Sequence, residues 1–295
     1  MLFDPACIPC IIKQAYNSAK LFTNSNKELQ LKIIKEVCAE ALNIDQYSNA
    51  PKFSKKMQSV IEKYYGAENP YKKIKEQNIK KAEKYYMFIK MMIEGSSDKL
   101  DTAIRAAIVG NSIDFAANPD FNIEYEINRI ASSNIELSFL PQFKEDYRKA
   151  KLILYIADNY EEALFDKFLI NELLPKKIVF AVRSKPILND ITLEDAKQLG
   201  IDKLCTVIES GSTIAGTDLS ECTQEFLELF HKADIVIAKG QGNYETLLNE
   251  SRPIYFLFKV KCEAISQRCG YPVGKGILLL NNINKNRSGE QNETV

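Results

Sequence analysis

The segment LILYIADNYEEALFD, residues 152–166, runs from a short apolar stretch straight into Asp158 and Asn159. The stretch from Leu152 to Ile156 has the length and composition of a buried parallel strand. In an open parallel sheet, ligands bind at the carboxyl ends of the strands. One Asp or Asn there could simply cap the following helix, but here there are two. A further candidate, Asp190, ends the stretch RSKPILND. Together Asp158, Asn159 and Asp190 offer hard oxygen donors, and the chain holds one histidine, His231. Such donors suit Mg²⁺ or Mn²⁺ rather than a tetrahedral zinc site. Asn111 and Asp114, in VGNSIDF, could bring further oxygens, and Lys239 and Lys261 add positive charge. Gly211, Gly216, Gly240 and Gly242 would let the backbone approach a ligand and present N–H groups to anionic oxygens. A metal, lysines and backbone amides together make a phosphate site.

These residues need elements to carry them. The apolar runs LILYIA, KIVFAV, KLCTVI, ADIVIAKG and IYFLF alternate with longer amphipathic stretches. That alternation predicts an α/β region with a mostly parallel sheet covered by helices. Each run ends in polar, charged or Gly-rich residues: Asp158-Asn159, RSKPILND, ESGSTIAGTDLSE, KGQGNYE and KVKCEAI. Five such ends at one sheet edge point to a single cleft. GKGILLL reads as one more strand. Residues 1 to about 105 are helical in pattern, with a break at Gly95-Ser96-Ser97. The expected organisation is an α-helical domain over 1–120 and an α/β metal-binding domain over 121–283. NPDFN (118–122) reads as a boundary loop, and the polar tail 284–295 as disordered.

Composition narrows the function. Lys+Arg and Asp+Glu are equal at 39 each across 295 residues, which argues against a nucleic-acid partner and an electrostatic membrane anchor. No apolar stretch approaches a membrane span, and MLFDPACIPC lacks the form of a signal peptide, so a cytoplasmic protein is expected. His231 reads as a helix-terminal surface residue, and the Lys-rich stretch from Lys72 to Lys84 as a solvated helix face. Seven cysteines are an odd number for a disulfide framework. Cys7 and Cys10 form a C-x-x-C pair open to metal binding, redox cycling or packing, with no second such pair to complete a zinc site. KGQGNYE does not fit the P-loop pattern.

Taken in order, CIPC, GNSIDF, the ADN strand end, KPILND, ESGSTIAGTDL, KGQGNYETL and FKVKCEAIS resemble the damage-control phosphatase family, long catalogued as domain of unknown function 89, over roughly residues 1–280. The leading C-x-x-C resembles its prokaryotic-type subfamily. The resemblance implies a helical region packed on a Rossmann-like α/β domain. It implies hydrolysis of small phosphorylated, often damaged, metabolites such as sugar phosphates, with a divalent metal (Mn²⁺, Mg²⁺, Ni²⁺ or Co²⁺) as cofactor. By motif position, the metal ligands fall on Asp158, Asn159 and Asp190. Substrate contacts fall on the Lys239–Tyr244 stretch (with Gly240, Gly242, Asn243 and Tyr244), on Lys261, on Asn111 and Asp114, and on the Ser212 loop. The family's Ala-Gly-Glu after Asp-Asn is replaced by Tyr160-Glu161-Glu162, which adds a side chain and a charge beside the ligand pair. The alternatives are a protein carboxyl methyltransferase, for which no G-x-G-x-x-G loop is present, and a non-catalytic metal- or metabolite-binding protein.

Overall fold

A computed structural model describes residues 3–65, 71–111, 130 and 135–281. Asp114, the 118–122 loop and the 284–295 tail lie outside the described residues. Helices α1 (Cys7–Phe22), α2 (Lys27–Ala41), α3 (Ala50–Tyr65), α4 (Lys72–Glu94) and α5 (Lys99–Gly110) come first. Then follow β1 (Ile135–Glu136), α6 (Leu140–Lys149), β2 (Leu152–Ile156), α7 (Ala163–Leu173), β3 (Lys177–Val182) and α8 (Leu193–Gln198). The chain continues with β4 (Thr206–Glu209), α9 (Gln224–Lys232), β5 (Ile235–Lys239), α10 (Gly240–Leu247), β6 (Tyr255–Lys259), α11 (Glu263–Cys269) and β7 (Gly276–Leu280).

The strands form one sheet in the order β1-β7-β6-β5-β2-β3-β4. β4, β3, β2, β5 and β6 run parallel, and β7 returns antiparallel beside β6. This is the mostly parallel α/β sheet the apolar runs predict, and GKGILLL does supply its late strand. From β2 the chain builds outward through β3 to β4, then crosses back over β2 to place β5 on its other side. The reversal falls between β2 and β5, and the carboxyl ends of strands at such a point are where doubly wound sheets bind ligands.

Side-chain alternation sorts each strand onto two cores. Ile153 and Tyr155 of β2 join Ile235 and Ile237 of β5 under α5 and α7. Leu154 and Ile156 join Val236 and Ala238 under α9 and α10. Helices α1–α3 keep a separate core around Ala15, Ile33, Phe53 and Met57. Helices α4 and α5 instead send Ile89, Ile104 and Ile108 into the sheet's own core. Hydrophobic packing therefore divides the chain between α3 and α4, earlier than the expected boundary at 120. The reason is burial: a parallel sheet is covered on both faces by helices, and α4 and α5 complete one of those layers.

His231 is exposed in the last turn of α9, as its sequence context predicts. The Lys72–Lys84 face is solvated apart from Lys75, which is buried. Among the described residues no helix is long and apolar enough to cross a membrane.

Candidate active site

The end of β2 and the loop after β3 are stitched together by backbone. Ile191 N–H donates to the Asp158 carbonyl at 2.9 Å, Tyr160 N–H donates to the Asn189 carbonyl at 2.9 Å, and Asn159 pairs with Asp190 as an antiparallel bridge. The helix after Asp190 does not use it as a cap: Thr192 and Asp195 form a reciprocal capping box instead. The Asp190 side chain is thereby left to the cluster. From the helical layer, the buried Lys75 Nζ donates to the Asp190 carbonyl (2.6 Å) and to Asp195 Oδ2 (2.8 Å), fixing the loop from outside.

Arg183, which the sequence reading passed over, joins the two aspartates. It is 1% exposed. Its Nε donates to Asp190 Oδ2 at 2.7 Å, and its Nη2 lies 3.7 Å from Asp158 Oδ1. The rest of the guanidinium is fixed by Thr217 Oγ1 (3.2 Å) and Asn243 Oδ1 (3.3 Å). Asn243, fully buried, donates in turn to the carbonyls of Ala157 (3.1 Å) and Lys239 (2.7 Å). Burial, then the nearby charges of Glu162 and Asp190, hold the Asp158 carboxyl well above its ordinary pKa. Burial also raises Asp190, with Arg183 opposing the rise.

A second layer lies beneath. Lys239 Nζ donates to Asp166 Oδ1 (2.6 Å), Glu162 Oε1 (3.0 Å) and the Ala107 carbonyl (3.0 Å). Burial alone would lower the Lys239 pKa, but the charges of Asp166 and Glu162 more than offset this and raise it. Glu162 Oε2 accepts from Asn111 Nδ2 (2.6 Å) and Asn159 Nδ2 (3.2 Å). Asn111 also donates to Asp158 Oδ2 at 3.1 Å, so α5 does bring an amide to the cluster. The second departure residue, Glu161, turns aside: its Oε1 accepts from Asn78 Nδ2 (3.0 Å) and Asn189 Nδ2 (2.9 Å).

Several expected roles change in this geometry. An ammonium has three donors, and Lys239 directs them at three protein acceptors, so it has none left for a phosphoryl oxygen. Tyr244 is a core residue, stacked on Phe258 (ring centroids 4.8 Å apart) and edge-on to Phe256 (5.3 Å). Ser212 is fully buried; its hydroxyl donates to the Gly216 carbonyl at 3.1 Å and accepts from Asp218 N–H at 3.2 Å, bracing its own loop. Gly240 (φ +80°) and Gly242 make room for protein rather than for ligand. A Cβ at 240 would overlap the Asp158 carboxylate, and one at 242 would overlap the Ala215 carbonyl. Lys261 is exposed, and its charge sits close enough to Asp158 to oppose the rise in that carboxyl's pKa.

The cluster has the chemistry of a cation site. Asp158, Glu162, Asp166 and Asp190, all buried, share the buried cations Arg183 and Lys239, while the buried Lys75 pairs with Asp195 and the buried Glu161 accepts from the amides of Asn78 and Asn189. Surplus buried charge of this kind is unfavourable unless paired. Among the described residues no three His, Cys, Asp or Glu side chains converge as a metal cage. The available donor set is two carboxylates and the Asn159 amide, which fits a hard divalent ion with open positions. Cys7 and Cys10 sit apart, in the first turn of α1, near Cys262 and Glu245. Burial, with those neighbouring acids, pushes the Cys7 thiol up to about 12.

Residues 3–277 match the family model of the Damage-control phosphatase ARMT1-like domain. The chain is 36% identical over 290 residues to an uncharacterized protein of Methanocaldococcus jannaschii, covering 93% of this chain and 94% of that one. It is 37% identical over 228 residues to a damage-control phosphatase of Pyrococcus horikoshii, covering 74% of this chain and 77% of that one. The crystal structure of a DUF89 family protein from Pyrococcus horikoshii superposes with a TM-score of 0.82 at 30% identity, covering 95% of this chain and 99% of that one. The chain belongs to the damage-control phosphatase family.

Proposed function

We propose that this chain is a divalent-metal-dependent phosphatase acting on small phosphorylated metabolites, sugar phosphates among them. The observation that carries the reading is the meeting of Asp158, Asn159 and Asp190 at the β2–β5 switch point, amid more negative charge than Arg183 and Lys239 balance. Those three residues hold the metal, and Mn²⁺, Mg²⁺, Ni²⁺ and Co²⁺ all take such donors. Bound there, the metal supplies Lewis acidity toward a phosphoryl oxygen and an acidified water.

The protein's own groups divide the remaining work. Arg183 holds the two aspartates side by side. Lys261, exposed at the rim, neutralises charge that grows on the phosphoryl oxygens. The surrounding dry core strengthens each of these interactions. The test is Asp158→Asn, which keeps the shape of the side chain and removes its charge. It is expected to abolish metal-dependent hydrolysis of p-nitrophenyl phosphate; full retained activity would end this reading.

A further inference from the structure

The buried layer beneath the aspartates is tied together within the protein: Lys239 donates to Asp166, Glu162 and the Ala107 carbonyl. Its upward contact is to the amide of Asn159. An asparagine that ligates a hard metal must present Oδ1, because its Nδ2 carries donors and has no lone pair to give. Something must therefore decide which end of the amide faces the ion.

Asn159 Nδ2 lies 3.1 Å from Asp158 Oδ2 and 3.2 Å from Glu162 Oε2. Both neighbours are carboxylate oxygens, so the atom between them has to be the NH₂ group. A flipped amide would set its carbonyl oxygen against two anionic oxygens and lose two charge-assisted hydrogen bonds. The planarity of the amide then turns Oδ1 to the opposite side. Glu162 can hold this arrangement because its own orientation is fixed. Oε1 is engaged by Lys239 (3.0 Å) while Oε2 takes Asn159 and Asn111, and Glu162 is fully buried. Lys239 is anchored in turn by Asp166 and the Ala107 carbonyl.

We propose that Glu162, held in place by Lys239, is a positioning residue that locks the Asn159 amide with its carbonyl oxygen toward the metal. This rests on the metal-site reading above. In that role Lys239 serves the reaction from below, through Glu162 and Asn159.

The experiment is Mn²⁺ binding by electron paramagnetic resonance or calorimetry, with no turnover required. In Glu162→Gln the new amide keeps its oxygen toward the Lys239 ammonium and turns its NH₂ toward Asn159. There it meets the Nδ2 groups of both Asn159 and Asn111, so the Asn159 amide loses one of its two acceptors, gains a repulsive neighbour and is no longer locked. Mn²⁺ affinity is expected to fall about 10- to 100-fold, the usual effect of losing an outer-shell partner. The discriminating background is Asn159→Asp, whose two oxygens are equivalent and cannot be flipped to the wrong end. There Glu162→Gln is expected to cost little Mn²⁺ affinity or to raise it. Glu162→Met, which removes the acceptor without adding a donor, is a second variant if Glu162→Gln does not fold, and its expected loss is smaller because Asp158 still accepts from Asn159. Wild-type Mn²⁺ affinity in Glu162→Gln, or an equal loss in both backgrounds, overturns the inference alone. Wild-type protein that takes up no divalent metal overturns the metal-site reading, and this inference with it.

Discussion

The two layers of the polar cluster are built from the same residue types and satisfied in opposite ways. In the lower layer Lys239 uses each of its donors on Asp166, Glu162 and a carbonyl. In the upper layer Arg183 bonds Asp190 at 2.7 Å but stands 3.7 Å from Asp158, so one carboxylate is held loosely. A network of buried charges whose cation spends every donor within it, as Lys239 does, stabilises a unique arrangement. An open one stores unfavourable charge that a bound cation relieves. The contrast separates scaffold from site more sharply than burial does, since both layers are dry.

The largest expected effect falls on the closed layer. Lys239→Met strands Glu162 and Asp166 without their cation, and urea unfolding should show a loss of about 3–5 kcal/mol. A loss below about 1 kcal/mol would erase the distinction between the layers. In the open layer the sign reverses. The Asp158→Asn change, expected to abolish hydrolysis, should leave the metal-free fold more stable by about 1 kcal/mol, since it removes unfavourable buried charge.

The pH dependence follows the same logic. Burial holds Asp166 at about 6, with Lys239 opposing, against about 3.9 in an unfolded chain. Its carboxyl gains its proton more readily in the fold. The stability it contributes is therefore present at low pH and is lost as pH rises from about 4 to about 6. Asp158 and Asp190, also raised, act in the same direction. Metal-free protein should thus melt higher at pH 5 than these groups allow at pH 7, and Mn²⁺ should raise the melting temperature more at pH 7. Equal Mn²⁺ shifts at both pH values would place the ion elsewhere. The smallest effect marks a third kind of pair. Lys55 reaches from α3 to Glu221 at 2.5 Å, with side chains 42% and 29% exposed. Lys55→Ala should cost at most about 1 kcal/mol and leave hydrolysis unchanged.

Much of this was legible in the sequence. The strand runs, the break between α4 and α5, and the Asp-Asn pair at the end of β2 all follow from apolar periodicity and its interruption. Lys239 was misread because a polar residue after an apolar run looks like a strand leaving its core. Strand parity held the correction. Lys239 shares a face with Ile235 and Ile237, the face that α5 and α7 cover, so its side chain runs under helices. Parity also places Arg183 with Val179 and Ala181, on the side where α10 brings Asn243. The family pattern puts Glu162 at its Glu position and Glu161 at its Gly, but residue type alone does not say what either side chain meets. One meets Lys239 and the other meets Asn78, and only the pitch of the turn into α7 decides which. The early packing boundary was hidden for a different reason: α4 and α5 carry the same helical periodicity as α1–α3 and differ only in what they cover.

The absent side chain at position 240 has a consequence for comparing related chains. The Asp158 carboxylate fills the volume that any larger residue there would need. Alanine and aspartate at these two sites are therefore incompatible occupants of one space. A homologue bearing a bulkier residue at that position has to turn its own aspartate aside or move the backbone between the two strands.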